Sequence, residues 1–268
     1  MLFKKKCILF ALLLAVMFPL RSVAASASDS NSLARQVFDL LNRERETAQL
    51  QKLNWNERAA GTALAHAVLL AKNKRLSHQF AGESGVPERL GHSGVRFISS
   101  GENLALVDDV IEANVALMNS PGHRANILNR DYNAVGIGVV QRNGRMYVAE
   151  DFVHSVPVYS EKEFLEAVVG AFNRARDASG KTSVEVRGDL RLHNSACASV
   201  GIPTLVSTNL AGALEVVVFT LSEPHELPER LARQASDAML KRMNIGVCFR
   251  PDRKLGNANF WVAAAFGR

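Results

Sequence analysis

Gly101-Glu102-Asn103-Leu104-Ala105 decides how this chain is read, with three motifs around it: Leu76-Ser77-His78, Ser120-Pro121-Gly122-His123-Arg124 and Tyr147-Val148-Ala149-Glu150-Asp151-Phe152. Two histidines and a carboxylate stand beside small residues, which let a ligand approach; imidazole and carboxylate together can share a divalent cation or relay a proton. Ahead of the motifs, Leu33, Val37, Leu40 and Leu41 recur at helical spacing, giving an amphipathic helix over about 32–48 that carries Leu41-Asn42-Arg43. Leu53-Asn54-Trp55 opens a second helix, capped by Asn54 or Asn56 and running to about Asn73. Its Ala59, Ala60, Ala63, Ala67 and Ala71 keep side chains short, so that another layer can pack close. A short helix is expected near Pro87–Leu90, then one capped by Asp108 with Val107, Ile111, Val115 and Met118 on one face. Pro121 stops it, and His123 to Leu128 starts a further turn. Val135, Ile137 and Val139 alternate with Gly136 and Gly138, Met146 to Val153 forms the partner strand, and Asn143-Gly144 joins the two as a hairpin. Helices on an antiparallel sheet make an α+β sandwich.

In this order the motifs resemble the CAP superfamily: cysteine-rich secretory proteins, antigen 5 and plant pathogenesis-related proteins. The resemblance covers roughly residues 33–153 and is nearest to the bacterial SCP-like branch, where Ser-Pro-Gly-His-Arg with a following Asn and Ile-Leu replaces a longer eukaryotic version. It implies a CAP-type α-β-α sandwich with a cleft of two histidines and two glutamates. His78, Glu102 and His123 match three of these. The second glutamate would fall where this chain has Asn119-Ser120. Serine is a poor metal ligand, so the four-residue set is incomplete.

The expected ligand-binding residues are His78, Glu102, His123, Glu150 and Asn103. Zinc is the expected cation, held by His78, His123 and Glu102 with one position open. Glu102 either binds the metal or holds an imidazole in one tautomer. Asn103 braces its loop. Glu150 falls on the strand face of Met146, Val148 and Phe152 and compensates for the missing glutamate, whereas Asp151 points the other way, toward water. His66, His92, His154, His193 and His225 carry no motif context and read as ordinary surface or core residues. No phosphate loop, zincin helix or nucleophile elbow is present.

Lys4, Lys5 and Lys6, the apolar run Cys7 to Leu20, and Ala25-Ser26-Ala27 (with Val23-Ala24-Ala25 competing) read as an export signal over residues 1–27. Its 14 apolar residues are fewer than the roughly 20 that span a bilayer. The segment holds four basic residues and no acid, so its removal takes the net charge from +6 to +2. Nucleic-acid binding then has no electrostatic footprint. The remaining cysteines, Cys197 and Cys248, form either one disulfide or two buried thiols.

Residues 28–158 are expected to be the CAP domain and 159–268 a degenerate CAP-like α+β repeat without its motifs. Phe172-Asn173-Arg174-Ala175-Arg176 echoes Leu41 to Arg45, Leu190 to Asn194 echoes Leu53 to Glu57, Ile245 to Cys248 echoes Ile137 to Val140, and Trp261 to Phe266 echoes Tyr147 to Phe152. Ala263, Ala264 and Ala265 make a flat strand face suited to packing on the first domain's sheet. These features describe an exported protein, periplasmic or extracellular, that binds a lipid, sterol, glycan or other cell-envelope ligand. A metal-assisted hydrolase using His78, His123 and Glu102, and an interaction module working through the second domain, are the alternatives.

Overall fold

The computed structural model describes residues 27–199, 215–250 and 259–268. The expected export signal lies outside these residues, apart from Ala27.

The first unit begins with helix α1 (Ala27–Thr47) and the short strand β1 (Asn54–Trp55), followed by α2 (Glu57–Asn73), α3 (Val86–His92) and strand β2 (Phe97–Val107). Helices α4 (Val110–Asn119) and α5 (Pro121–Ile127) lead to β3 (Ala134–Arg142) and β4 (Arg145–Ser155). The sheet order is β1-β3-β4-β2. The expected antiparallel sheet is formed by β3, β4 and β2, with the two-residue β1 added parallel to β3. Asn143 and Gly144 both take positive φ, 53° and 73°, the conformation a two-residue type I′ hairpin requires.

Helices α1, α4 and α5 cover one face of the sheet, and α2 and α3 the other. The alternation of β3 explains both contacts. Val135, Ile137 and Val139 enter the core with Ala34, Val37 and Leu41 of α1. Gly136 and Gly138 face α2, where a Cβ would run into the backbone of Ala59–Ala60 and Ala63–Leu64. Glycine on the strand and alanine on the helix together set that separation.

Two helix expectations are corrected. Asp109, not Asp108, caps α4, its carboxylate accepting from Ile111 N and Glu112 N. Ala113 and Leu117 face the core, whereas Ile111 and Val115 are exposed, because the helix starts three residues after Val107, which ends β2.

The second unit repeats the plan with α6 (Glu161–Ala178), β5 (Glu185–Gly188), α7 (Leu190–Ala198), β6 (Glu215–Leu221), α8 (Glu229–Ala235), β7 (Arg242–Phe249) and β8 (Phe260–Gly267). Its sheet order, β5-β7-β8-β6 with β5 parallel to β7, is that of the first unit. Arg45 and Arg176 perform the same task. Arg45 Nε donates to Gln51 O (2.8 Å) and Nη1 to Ile127 O and Asn129 O (2.7 and 2.8 Å). Arg176 Nε donates to Thr182 O (2.7 Å) and Nη1 to Ala235 O and Asp237 O (3.1 and 2.9 Å).

This alignment corrects the weakest echo. Trp55 of β1 pairs with Val135 and Val186 of β5 with Met243, so Leu190 to Asn194 corresponds to α2 and not to Leu53 to Glu57. Cys197 on α7 and Cys248 on β7 form a disulfide. Ala263 and Ala265 pack beneath α7 with Leu192 and Ala196, so the flat strand face meets its own helix and not the first sheet.

Candidate functional site

Strands β2 and β4 carry the site. Glu102 pairs with Asp151 and Asn103 with Glu150. Directly opposed residues share a sheet face and successive residues alternate. Glu102 and Asp151 therefore face α2 and α3, while Asn103 and Glu150 face α1, α4 and α5. The motif residues form two polar clusters, back to back through the sheet.

On the α2 side, Glu102 Oε1 accepts from Arg89 Nη2. Its Oε2 lies 3.1 Å from His78 Nδ1 and 3.5 Å from His66 Nε2. Arg89 Nη1 also donates to His78 O (3.1 Å) and Ser84 O (3.3 Å) and lies 3.5 Å from Glu83 Oε1. The buried His66 ring has Nδ1 at 2.7 Å from Glu83 Oε1 and Nε2 at 2.9 Å from Ser77 O. Both of its nitrogens face oxygen atoms. Glu83 Oε2 accepts from Phe80 N at 3.0 Å. The loop that carries His78 is thus tied down at Ser77, His78, Phe80 and Ser84. The His78 side chain itself is 63% exposed, its Nδ1 on Glu102 and its Nε2 available to a ligand.

Asp151, expected to meet water, is fully buried under α2. Its Oδ2 lies 2.9 Å from Thr62 Oγ1, which is also 2.8 Å from Ala59 O. Thr62 Oγ1 donates in both contacts, and its bond to Asp151 favours the ionised carboxylate. Burial first, then the neighbouring Glu102 charge, pushes Asp151 up to about 7, against the pull of Arg89. The other oxygen, Oδ1, is buried without a partner.

On the opposite face, Asn103 Nδ2 donates to Glu150 Oε2 (3.0 Å) and His123 O (3.1 Å), and Asn126 Nδ2 donates to Asn103 Oδ1 (2.9 Å). Asn103 thereby fastens α5 to β2. Glu150 does lie on the face of Met146, Val148 and Phe152, but it is only 1% exposed, and burial pushes it up to about 7. Glu150 and Asn103 are both buried, on the sheet face opposite Glu102. The half-buried His123 is near enough to His78 for that ring's charge to lower its pKa, after the larger effect of its own burial.

The structure thus joins His78 to Glu102 with His123 nearby, and adds four residues not expected at the site: His66, Glu83, Arg89 and Asp151. A signal for His66 was present. It falls on the buried stripe of α2, between Ala63 and Leu70, where a polar side chain needs partners. Zinc at Glu102 does not fit this donor set. Both carboxylate oxygens are engaged, one by a guanidinium whose positive charge lies where a cation would sit.

Among the described residues of the second unit the positions in register with this cluster are apolar. In register, Ala264 and Ala265 stand for Glu150 and Asp151, and Val217 and Val216 for Asn103 and Glu102.

Residues 38–158 match the model of the cysteine-rich secretory protein family, CAP. The chain is 32% identical over 122 residues to YlbC, an uncharacterised membrane protein of Bacillus subtilis, covering 44% of this chain and 34% of that protein. It is 28% identical over 121 residues to YkwD of the same species, covering 45% and 47%. It thus spans about a third and about half of these relatives' lengths. Among solved structures it is similar to an extracellular SCP-domain protein of Bacillus anthracis, with 30% identity and a TM-score of 0.44 over 47% of this chain and 41% of that one. A cysteine-rich secretory protein of Staphylococcus aureus follows, with 21% identity and a TM-score of 0.40 over 48% and 41%. Residues 38–158, somewhat under half of the chain, are thus similar to the cysteine-rich secretory protein family, CAP, and the relatives matched there are bacterial.

Proposed function

We propose that the protein is an exported binding module whose His78–His123 surface holds a polar group of a cell-envelope ligand, a glycan or a lipid headgroup. One observation carries this reading: both oxygens of Glu102 are engaged by Arg89, His78 and His66. A general base must face its substrate, whereas the Glu102 side chain is only 2% exposed and covered by these partners. It acts instead as an anchor, fixing the His78 ring through Nδ1 and turning Nε2 outward. Two surface imidazoles on rigid backbone suit hydrogen bonding to hydroxyl or phosphate groups. The disulfide Cys197–Cys248 supports a place outside the reducing cytoplasm.

Cosedimentation of the full exported chain with purified peptidoglycan, and separately with phosphatidylglycerol vesicles, tests this reading. One of the two should retain the protein, and His78→Ala with His123→Ala should weaken retention about tenfold, or 1.4 kcal/mol. Retention by neither, or retention unchanged in the double variant, contradicts it. So does release of hydrolysis products from either material in a His78-dependent manner.

A further inference from the structure

His193, Cys197 and Cys248 bring three metal-ligating atoms within 4.8 Å of one another in the second unit. His193 Nδ1 donates to Val247 O at 2.7 Å, with Glu161 Oε2 3.8 Å away. That fixes the tautomer and leaves the Nε2 lone pair facing Cys197 Sγ at 3.6 Å. A histidine that gives one N–H to a carbonyl and turns its other nitrogen to a shared point is the usual arrangement of a metal-ligating imidazole.

The distance has the same sense. In a tetrahedral zinc site with Zn–S of about 2.3 Å and Zn–N of about 2.05 Å, sulfur and nitrogen lie ~3.6 Å apart. Cys197 Sγ and His193 Nε2, from residues one helical turn apart on α7, lie at that separation in the disulfide-bonded chain. Cys248 lies opposite on β7, close beneath the helix because Gly246 admits the His193 backbone where a Cβ could not fit.

The fold itself does not ask for these residues. Gly138 and Gly246 are equivalent, each meeting the facing helix at Leu64 and His193. Counting along from them, the first unit has Leu64, Val68 and Val140 where the second has His193, Cys197 and Cys248. The second unit, having apolar residues at the Glu102 cluster, carries a different donor set on the outer side of its helix.

We propose that the reduced chain holds one zinc ion through Cys197 Sγ, Cys248 Sγ and His193 Nε2, with solvent in the fourth position, and that disulfide formation expels it. A dithiol reductant opens the bridge by exchange. Two electrons and two protons pass to the cysteine sulfurs and the reductant closes its own disulfide. Zinc binding then releases both thiol protons to solvent. In the reverse direction an organic disulfide takes two electrons from the thiolates and two protons from solvent, leaving as two thiols while Cys197–Cys248 re-forms and zinc departs.

The test uses the full chain carrying His78→Ala and His123→Ala, which silences the first unit's surface imidazoles. It is reduced with a water-soluble phosphine, which does not chelate zinc as dithiols do, and titrated with cobalt(II) and then zinc. The reduced chain should bind one equivalent with thiolate-to-cobalt charge-transfer bands and a native circular dichroism spectrum, and zinc should displace the cobalt. The oxidised chain should show no such bands. His193→Ala should weaken binding at least about tenfold, and Cys248→Ser should abolish the bands. Absence of the bands after reduction, bands on a chain that stays unfolded, or affinity indifferent to His193→Ala would each overturn the proposal.

Discussion

Asp151 and Glu150 are neighbours on β4, buried on opposite faces of one sheet and both pushed up to about 7. A carboxyl group whose folded pKa lies above its unfolded value binds more protons folded than unfolded. Stability is then fullest below about pH 4, falls as the pH rises toward 7, and stays lowered above. From 3.8 or 4.5 to about 7, the penalty at pH 8 is about 3–4 kcal/mol for each acid. Asp151 is faced by Thr62 of α2, Arg89 of α3, Glu83 of the preceding loop and Glu102 of β2; Asn103 faces Glu150. Asp151→Asn keeps the shape of the side chain, with an amide oxygen to accept from Thr62, and removes the charge. The variant should therefore gain stability at pH 8 and little at pH 5, a difference that denaturant titration at the two pH values measures. Equal effects at both would mean that Asp151 is ionised throughout. Asp151 was the residue hardest to read from sequence: it sits on an alternating strand whose pattern placed it toward water, whereas His66 on the alanine stripe of α2 did carry a signal.

At the scale of elements, α2 and the β3–β4 hairpin were legible from alanine spacing, the Asn56 region and Asn143-Gly144. Strand β2 was not. Its Ser99, Ser100, Gly101, Glu102 and Asn103 place polar residues on both faces, so no alternation of apolar and polar side chains marks the strand; the pattern fails where the site is built. The depth of contact between α2 and β3 rests on glycine. Gly138→Ala would drive a Cβ into the Ala63–Leu64 backbone and should cost about 2–3 kcal/mol. Because α2 also carries His66, the same change should loosen the His66–Glu83–Glu102 contacts, seen as faster hydrogen exchange in the loop 77–84. Unchanged exchange with lowered stability would separate the packing from the site.

The two units have equivalent topologies and unequal chemistry. The echoes of Leu41 to Arg45 and of Tyr147 to Phe152 fall on matching elements of the two units, and Arg45 and Arg176 show what the first echo shares: a guanidinium that ties each unit's opening helix to distant loops. Among the described residues no helix or strand of one unit packs along one of the other. They meet where Arg96 lies over the Phe249 ring at 3.3 Å from its centroid, a contact worth about 1 kcal/mol. No helix of the described residues is long and apolar enough to cross a membrane. A chain ending near Tyr159 should therefore keep its fold and melt within a few degrees of the full protein; early melting or aggregation would show that the first unit depends on the second. Replacing Cys197 and Cys248 by serine should lower the stability of the second unit by about 2–4 kcal/mol and leave that of the first unchanged.

The central claim is that His78 and His123 form the ligand surface and that Glu102 beneath them is an anchor. Histidine side-chain resonances of the isotope-labelled oxidised chain, followed while soluble peptidoglycan fragments or short-chain phosphatidylglycerol are added, test it most directly. The account predicts that the rings of His78 and His123 shift in a saturable manner with one of these probes, while His193 and His225 in the second unit stay fixed. Shifts confined to His193 or His225, or none at His78 and His123 under saturating ligand, would contradict it.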